Sequence, residues 1–359
     1  MKTKNIINIS VVGCGRIAQK HVQAIDALKT EGVRIISASD IRLERIDSLN
    51  LSSDVIRSEN CNDPKLFDGV DLGVVLTESG NHFQNAKMFL EKDIDVLIEK
   101  PVTLRLDHAY ELRKISRERD RKIYVVKQNR FNKPIQIGKD FVNKGYLGDP
   151  QIATVRVRWC RPQEYYDLAT WRGTWLMDGG VISNQASHHI DLLRWFMGEV
   201  RSVRAIAKTF SAKIEAEDTI VAIIEFENGA VGTVEATTST RPKNLEGSLS
   251  IQGNLGAFEV AGFAVNELRY LQSAHVNFKP NEFEVQDSAD ANTTDVYGSG
   301  HKEVYSQILA DRLGKPASVV LIDEAIKSLE LIHLIYMSVE QKRSISLSEL
   351  GSGSNRLGY

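Results

Sequence analysis

The sequence predicts an α/β protein of two domains: a doubly wound parallel sheet first, then an α/β domain built on a large, mostly antiparallel open sheet. Three observations predict it. Short β-branched runs alternate with helical stretches up to about Val126, and a glycine-rich turn follows the first run directly. Beyond a helix beginning near Pro134 the runs lengthen and alternate apolar with polar residues, as strands with one covered face do. The 359 residues exceed what one compact core usually serves, and the change of pattern sets the expected boundaries at 1–126 and 127–350, with 351–359 as a tail.

The first strand is expected over Ile6 to Val12. It is apolar but short, is interrupted by Asn8 and Ser10, and runs into glycines instead of a cleavage site, so it does not read as a leader. Arg34 to Asp40, Leu72 to Leu76, Asp95 to Ile98 and Lys122 to Val126 follow as strands. Leu72-Gly73-Val74-Val75-Leu76 is apolar throughout, which suits a parallel strand covered on both faces. In the second domain the strands are Ile152 to Trp159, Val203 to Thr209, Ile220 to Phe226 and Ala230 to Thr238. Asn228-Gly229 between the last two marks a hairpin, because both residues tolerate positive φ. A helix is expected from Val181 to Met197, and helices near His301 to Leu313 and Ile322 to Gln341 close the fold. The run Gly351-Ser352-Gly353-Ser354-Asn355 is flexible by composition, and an extended or disordered end is expected.

Composition excludes several function classes. Hydrophobic residues make up 42% and charged residues 26%, ordinary for a globular chain, and the net charge of -2 gives no basic surplus for nucleic acid or anionic lipid. Cys14, Cys61 and Cys160 are odd in number, far apart and without a CxxC spacing, which argues against a disulfide framework and a structural zinc and fits a reducing cytoplasm. No run approaches the roughly 18 apolar residues of a membrane span.

Gly13-Cys14-Gly15-Arg16-Ile17-Ala18 has the form GxGxxA between a strand and a helix. Gly13 permits the tight turn, Gly15 lets the backbone approach a pyrophosphate, and Ala18 lets helix and sheet pack closely, while the helix start offers free N–H groups to the anion. Asp40 ends the second strand about 20 residues further on, where a carboxylate accepts from ribose hydroxyls and repels a 2′-phosphate. NAD is therefore expected over NADP. Arg42 could contact adenine or a 2′-phosphate, or be an exposed arginine at a helix start.

Glu99-Lys100-Pro101 ends another parallel strand, at the sheet edge where open α/β folds place ligands. The Lys100 ammonium could polarise a hydroxyl or carbonyl oxygen; a solvated surface lysine is the plain alternative. Asn184, His188 and Asp191 share one stripe of the expected helix, with His189 turned away. His188 is suited to take a hydroxyl proton with Asp191 or Asn184 fixing its orientation, and a satisfied core histidine is the alternative. The spacing also resembles a metal half-site, but no thiolate or second histidine cluster supports it, and no metal is expected. The aromatic loop Tyr165-Tyr166-Asp167, Trp171-Arg172-Gly173-Thr174-Trp175 and Asp178-Gly179-Gly180 has the rings and polar groups that line sugar or nucleotide pockets, and core aromatic anchors would look similar. Asn129-Arg130 and Tyr297-Gly298-Ser299-Gly300-His301 are weaker candidates for the same pocket.

With GCGRIA, EKP and NQASHHIDLLRW in this order, nearly the whole chain resembles the glucose-fructose oxidoreductase, inositol dehydrogenase and MocA-like (Gfo/Idh/MocA) family. The resemblance implies a Rossmann domain, a mostly antiparallel partner domain, hydride transfer at a sugar carbon, and homo-oligomers, dimer or tetramer, packed through the open sheet. Lys100 and His188 match the family's catalytic lysine and histidine, and Asp191 the aspartate one turn on. Cofactor contacts are implied for Gly13, Gly15, Arg16, Ile17, Asp40 and Arg42, for Thr77, His82, Glu99 and Lys100, and for Asn129, Trp171 and Arg172. Substrate contacts are implied for Lys100, Arg158, Tyr166, Asn184, His188 and Tyr297.

Two departures stand out. Inositol-dehydrogenase-like members place an aspartate where this chain has Asn184; with the YYD, WRGTW, DGG and VYGSGH segments this looks like the subgroup that oxidises the 3-hydroxyl of UDP-N-acetylglucosamine or its uronate in surface-polysaccharide synthesis. Glu78 stands where many members have proline. Free-polyol dehydrogenases, NAD-recycling glycosidases and non-catalytic NAD-binding regulators of the same fold are the rival expectations.

Overall fold

The computed structural model describes residues 7–277 and 300–359. The chain divides into two compact units: residues up to Val126 with His301–Ile326, and Lys127 to Gly300 with Lys327–Tyr359.

The first unit runs β1 (Ile7–Val12), α1 (Ala18–Asp26), β2 (Val33–Ser39), α2 (Leu43–Asp47), β3 (Ile56–Ser58), β4 (Leu72–Val75), α3 (His82–Leu90), β5 (Asp95–Ile98), α4 (Leu106–Glu118) and β6 (Ile123–Val125). Its strands form a parallel sheet in the order β3-β2-β1-β4-β5-β6. The order reverses between β1 and β4, and ligands of such sheets bind outside the carboxyl ends of the strands at that point. Leu72, Val74 and Val75 are fully buried, as an apolar parallel strand requires. β3 is short and largely exposed, so no hydrophobic pattern announces it.

The second unit contains α5 (Lys133–Asn143), β7 (Pro150–Arg158), α6 (Gln163–Asp167), α7 (Ser187–Met197), β8 (Val200–Lys208), β9 (Thr219–Phe226), β10 (Val231–Thr237), β11 (Glu246–Gly253), β12 (Gly256–Ala261) and β13 (Glu267–Ser273). The chain then continues through α8 (Gly300–Arg312), α9 (Ile322–Gln341) and β14 (Ile345–Ser346). The sheet order is β13-β12-β11-β7-β10-β9-β8-β14, antiparallel throughout except for the β7–β10 pair. Ala153, Val155 and Val157 of β7 point into the core, and α7 lies against β7 and β11. Gly229 has φ +86° at the β9–β10 turn, where Asn228 Oδ1 accepts from the Ala230 N–H at 3.0 Å.

The structure departs from the sequence reading at three places. The Val181–Met197 helix is two pieces, a π-helical turn over Val181–Gln185 followed by α7. The π-turn is closed by the Ala186 N–H, which donates to the Val181 carbonyl at 2.8 Å, and Glu217 caps its start: the Glu217 carbonyl accepts from Val181 N–H at 2.9 Å and its carboxylate from Ile182 N–H at 3.0 Å. The stretch 301–326, expected inside the second domain, belongs to the first unit, where Val125 N–H donates to Val320 at 2.9 Å and Lys122 pairs with Asp311 at 2.6 Å. The tail, expected to be extended or disordered, packs on the second unit: Leu357 is fully buried, Ser354 N–H donates to His333 Nδ1 at 3.0 Å, and Gly358 N–H donates to the Trp175 carbonyl at 2.9 Å. Its glycines and serines are turn formers around one apolar anchor. Among the described residues no helix is long and apolar enough to cross a membrane.

Gly73 lies under the Phe89 ring, and a Cβ there would overlap it. Gly73→Ala should therefore cost about 1–3 kcal/mol by overpacking and lower the thermal midpoint by several degrees. A melting curve identical to the wild type would contradict this packing.

Candidate functional site

In the first unit the turn after β1 is shaped for close approach. Gly13 has φ +91°, and a Cβ on it would stand 2.7 Å from the Leu76 carbonyl carbon and the Thr77 nitrogen. A Cβ on Gly15 would meet nothing within 4 Å, so this side of the loop is open. Arg16 is exposed, Ile17 caps α1, and Ala18 is fully buried beneath the loop. Asp40 accepts from Cys14 N–H at 2.8 Å and Arg42 N–H at 3.0 Å, with the Arg45 guanidinium 3.5 Å away. The Arg42 side chain itself is exposed. Burial and the Asp40 charge push the Cys14 thiol up to about 12, so it stays protonated. Open backbone donors at a helix start, with a carboxylate at the end of the next strand, fit a dinucleotide.

Lys100, half-buried, stands at the end of β5 between two fixed points. Its N–H donates to Glu99 Oε2 at 2.9 Å, and the Pro101 carbonyl lies 2.7 Å from His82 Nδ1. His82 Nε2 is 3.0 Å from the Thr77 carbonyl, while Asn85 donates to the Thr77 hydroxyl at 3.1 Å. Both ring nitrogens of His82 thus tie two loops together, and burial holds its pKa below the ordinary value. Glu78, whose presence put the loop path in question, accepts from Asn81 at 2.6 Å and starts the short turn that leads into α3.

In the second unit the segment directly after β6 meets α7. His188, buried, has its Nε2 at 3.1 Å from the Gln128 amide nitrogen. Asp191 is fully enclosed and accepts from Arg130 at 2.7 and 2.9 Å and from Ser328 at 2.8 Å, with Lys127 Nζ at 3.3 Å. Burial alone would raise the Asp191 carboxyl, but the Lys127 and Arg130 charges outweigh it and hold the group well below the usual range. His189 packs against the Trp159 ring, and burial pulls its pKa down to about 4. Asn129 is buried with its Oδ1 unpartnered among the described residues.

Asn184 donates to the Asp178 carboxylate, which also accepts from Gly173 N–H at 2.8 Å. The DGG, WRGTW and NQASHH segments are thereby joined. Arg172 lies over Trp171 and Tyr165 and donates to the Tyr165 hydroxyl at 2.7 Å. Tyr166 is buried, bonds Thr238 at 2.8 Å and is pushed up to about 12 by burial. Tyr166 and Arg172 line a cleft of about 550 Å³ together with Asp167, Thr174, Lys213 and Glu215.

Arg158 requires a correction. Implied as a substrate contact, its guanidinium instead holds Glu235 through two 2.7 Å bonds and reaches Glu246 at 3.5 Å, so it belongs to an ion-pair network on the sheet. Tyr297 lies outside the described residues. Sequence reasoning missed Lys127, Gln128, Ser328 and Glu217. Only the adjacency of Lys127 and Gln128 to Asn129-Arg130 could have signalled them.

Residues 7–127 match the oxidoreductase family's NAD-binding Rossmann fold, and residues 139–347 match its C-terminal α/β domain, Gfo/Idh/MocA in both cases. The chain belongs to this family. Gfo/Idh/MocA membership makes it an NAD-dependent oxidoreductase. Among solved structures, the WlbA dehydrogenase from Bordetella pertussis in complex with NADH and UDP-GlcNAcA is 35% identical with a TM-score of 0.87, covering 95% of this chain and 97% of that one. The WlbA dehydrogenase from Chromobacterium violaceum, also with NADH and UDP-GlcNAcA, is 33% identical with a TM-score of 0.86, covering 96% of each chain. A more distant curated relative in the Gfo/Idh/MocA family, the myo-inositol 2-dehydrogenase of Thermotoga maritima, is 22% identical over 64% of this chain and 68% of its own length.

Glu217 offers a test of the π-turn. Burial pushes its carboxyl from the ordinary 4.5 to about 7, so its contribution to stability is full below pH 4.5 and is lost as pH rises through 7. Glu217→Gln should gain stability relative to the wild type as pH rises from about 4.5 to 7, by up to about 1.4 kcal/mol per pH unit, with the difference level above that. Denaturant titrations showing a pH-independent difference would contradict it.

Proposed function

We propose that this enzyme oxidises the 3-hydroxyl of a UDP-activated N-acetylamino sugar, or of its uronate, in surface-polysaccharide synthesis. The observation that carries the reading is the similarity, over nearly the full length, to two WlbA dehydrogenases crystallised with NADH and UDP-GlcNAcA. Asn184, where inositol-dehydrogenase-like members carry an aspartate, supports it from the sequence.

Oxidation of a CH–OH carbon removes a proton from oxygen and a hydride from carbon. NAD, when bound, takes the hydride; Gly13, Gly15 and the start of α1 would hold its pyrophosphate, and Asp40 its ribose. His188 is assigned the proton. The Gln128 amide N–H donates to Nε2, which puts the hydrogen of the neutral ring on Nδ1 and makes Nε2 its basic nitrogen, with a lone pair that Gln128 occupies until a substrate hydroxyl displaces it. Lys100 steers the reacting oxygen and stabilises negative charge that develops on it. Asp191, enclosed by Lys127, Arg130 and Ser328, is assigned the anchoring of α7 beneath His188.

We further place the enzyme in the cytoplasm, consistent with its free cysteines, and as a homo-oligomer through the second sheet. Ile206, Val221 and Ile223 are 63%, 52% and 55% exposed on neighbouring strands, with Ile206 paired directly to Val221. An apolar strip of this kind on a sheet suits a second copy of itself.

Anaerobic mixing with NAD and UDP-N-acetylglucosamine, or its uronate, should raise the NADH absorbance band. Lys100→Met and His188→Asn should each lower kcat by about 10²-fold or more. Turnover with free polyols alone, or release of a glycosidic leaving group without NADH, would overturn the assignment. Val221→Glu with Ile223→Glu should shift the light-scattering mass toward the monomer; an unchanged mass would remove the sheet from the interface.

A further inference from the structure

Beneath the turn that carries Lys100 lies a buried cluster that the proposed chemistry does not use. His21 on α1, Glu99 at the end of β5 and His301 on α8 are all buried, with their ligating atoms within 4.8 Å of one another. His21 Nε2 is 3.0 Å from Glu99 Oε1, and His301 Nε2 is 3.5 Å from the same oxygen. Tyr305, one turn further along α8, places its hydroxyl 2.7 Å from His21 Nδ1. The other oxygen, Oε2, accepts from Lys100 N–H.

The directions of these bonds follow from chemistry. Burial holds the Tyr305 phenol well above its ordinary pKa, so it stays protonated; because the Glu99 carboxylate can only accept, His21 Nε2 donates to it and, in the neutral ring, Nδ1 accepts from the Tyr305 hydroxyl. Burial also lowers His21, which leaves the ring neutral at neutral pH with its one hydrogen on Nε2, donated to Glu99. Burial alone would raise Glu99, but the bond from His21 and the His301 ring beside the same oxygen outweigh it and keep the carboxylate charged. The chain of donors runs from Tyr305 through His21 to Glu99, and Glu99 in turn fixes the Lys100 backbone. On the far side of Lys100, His82 holds the Pro101 carbonyl.

We propose that Glu99 is a positioning residue for Lys100, held in place by His21 with Tyr305 behind it and by His301 at its flank. This rests on the assignment of Lys100 to the reacting oxygen. Two imidazoles and a carboxylate could otherwise serve a divalent metal. In the neutral ring His21 Nε2 gives its hydrogen to Glu99, so a metal there would need that hydrogen moved to Nδ1, facing the Tyr305 hydroxyl.

The test uses the full chain with NAD and the nucleotide sugar. Glu99→Gln keeps the size and one acceptor but removes the charge; kcat should fall ten- to a hundredfold, with KM for sugar and NAD within threefold and the thermal midpoint near the wild type. His21→Gln, which retains a donor at the Nε2 place, should keep a kcat several-fold above that of His21→Leu, and His301→Gln above that of His301→Leu. Independently of turnover, reductive methylation of Lys100 followed by mass spectrometry at pH 8 should run several-fold faster in Glu99→Gln and His21→Leu. Full kcat and unchanged labelling in Glu99→Gln, with Lys100→Met inactive, would overturn the positioning role alone. Turnover retained in Lys100→Met would overturn the lysine assignment and this inference with it. Stoichiometric metal in the wild type that disappears in His301→Leu would overturn it in favour of a metal site.

Discussion

Parallel strands end in buried backbone N–H groups that the sheet no longer pairs, and in this enzyme carboxylates capture them. Asp40 beyond β2 accepts from the glycine loop after β1 and from the start of the next helical segment. Glu99 beyond β5 accepts from Lys100. A buried donor without a partner costs about 1–3 kcal/mol, so each carboxylate contributes to stability while it shapes the loop above it. Both occupy the sheet edge where the cofactor and the chemistry belong in this fold. The constraint explains why the two loops are specified by acids at strand ends as much as by glycines.

The second unit solves a harder version of the same problem. Asp191 is a charge with almost no exposure, and leaving it unpaired would cost several kcal/mol. Two bonds from Arg130, one from Ser328 and the nearby Lys127 ammonium prevent that, and they tie the segment after β6 to α7 and α9 at one point. His188 sits one turn before Asp191 on the same helix, so its place is fixed by the ion cluster although its ring meets Gln128. Glu217 is the opposite case. Its partners are neutral, Ile182 N–H and the Tyr336 hydroxyl at 3.0 Å, and burial wins, so it retains a proton to near neutrality.

Those differences track what the sequence could disclose. The parallel sheet was legible because Leu72–Leu76 is apolar at every position, and GxGxxA followed by Asp40 is a local pattern with a local cause. β11 to β13 were not read, since the stretch Glu246-Gly247-Ser248-Leu249-Ser250-Ile251 mixes small and polar residues whose burial comes from neighbouring strands. The break at Gln185 was invisible because the stretch keeps the periodicity of one helix, and the Ala186 N–H that reaches back five residues to the Val181 carbonyl leaves no mark in that pattern. Arg158 shows the converse. A strand-end arginine in a suggestive place carries no sign that Glu235, on a neighbouring strand, will hold it.

Asn184 brings these threads together. An aspartate at that position would place a second negative charge beside Asp178, and two carboxylates in contact cannot both stay ionised without cost. The amide avoids this by donating to Asp178, whose carboxylate also takes the Gly173 N–H. The carboxylate that the inositol-dehydrogenase pattern carries four residues before the histidine is thus present one bond further out, on the DGG turn. The exchange trades a charged neighbour of the helix for a neutral donor, which joins the DGG turn to the segment that leads into α7.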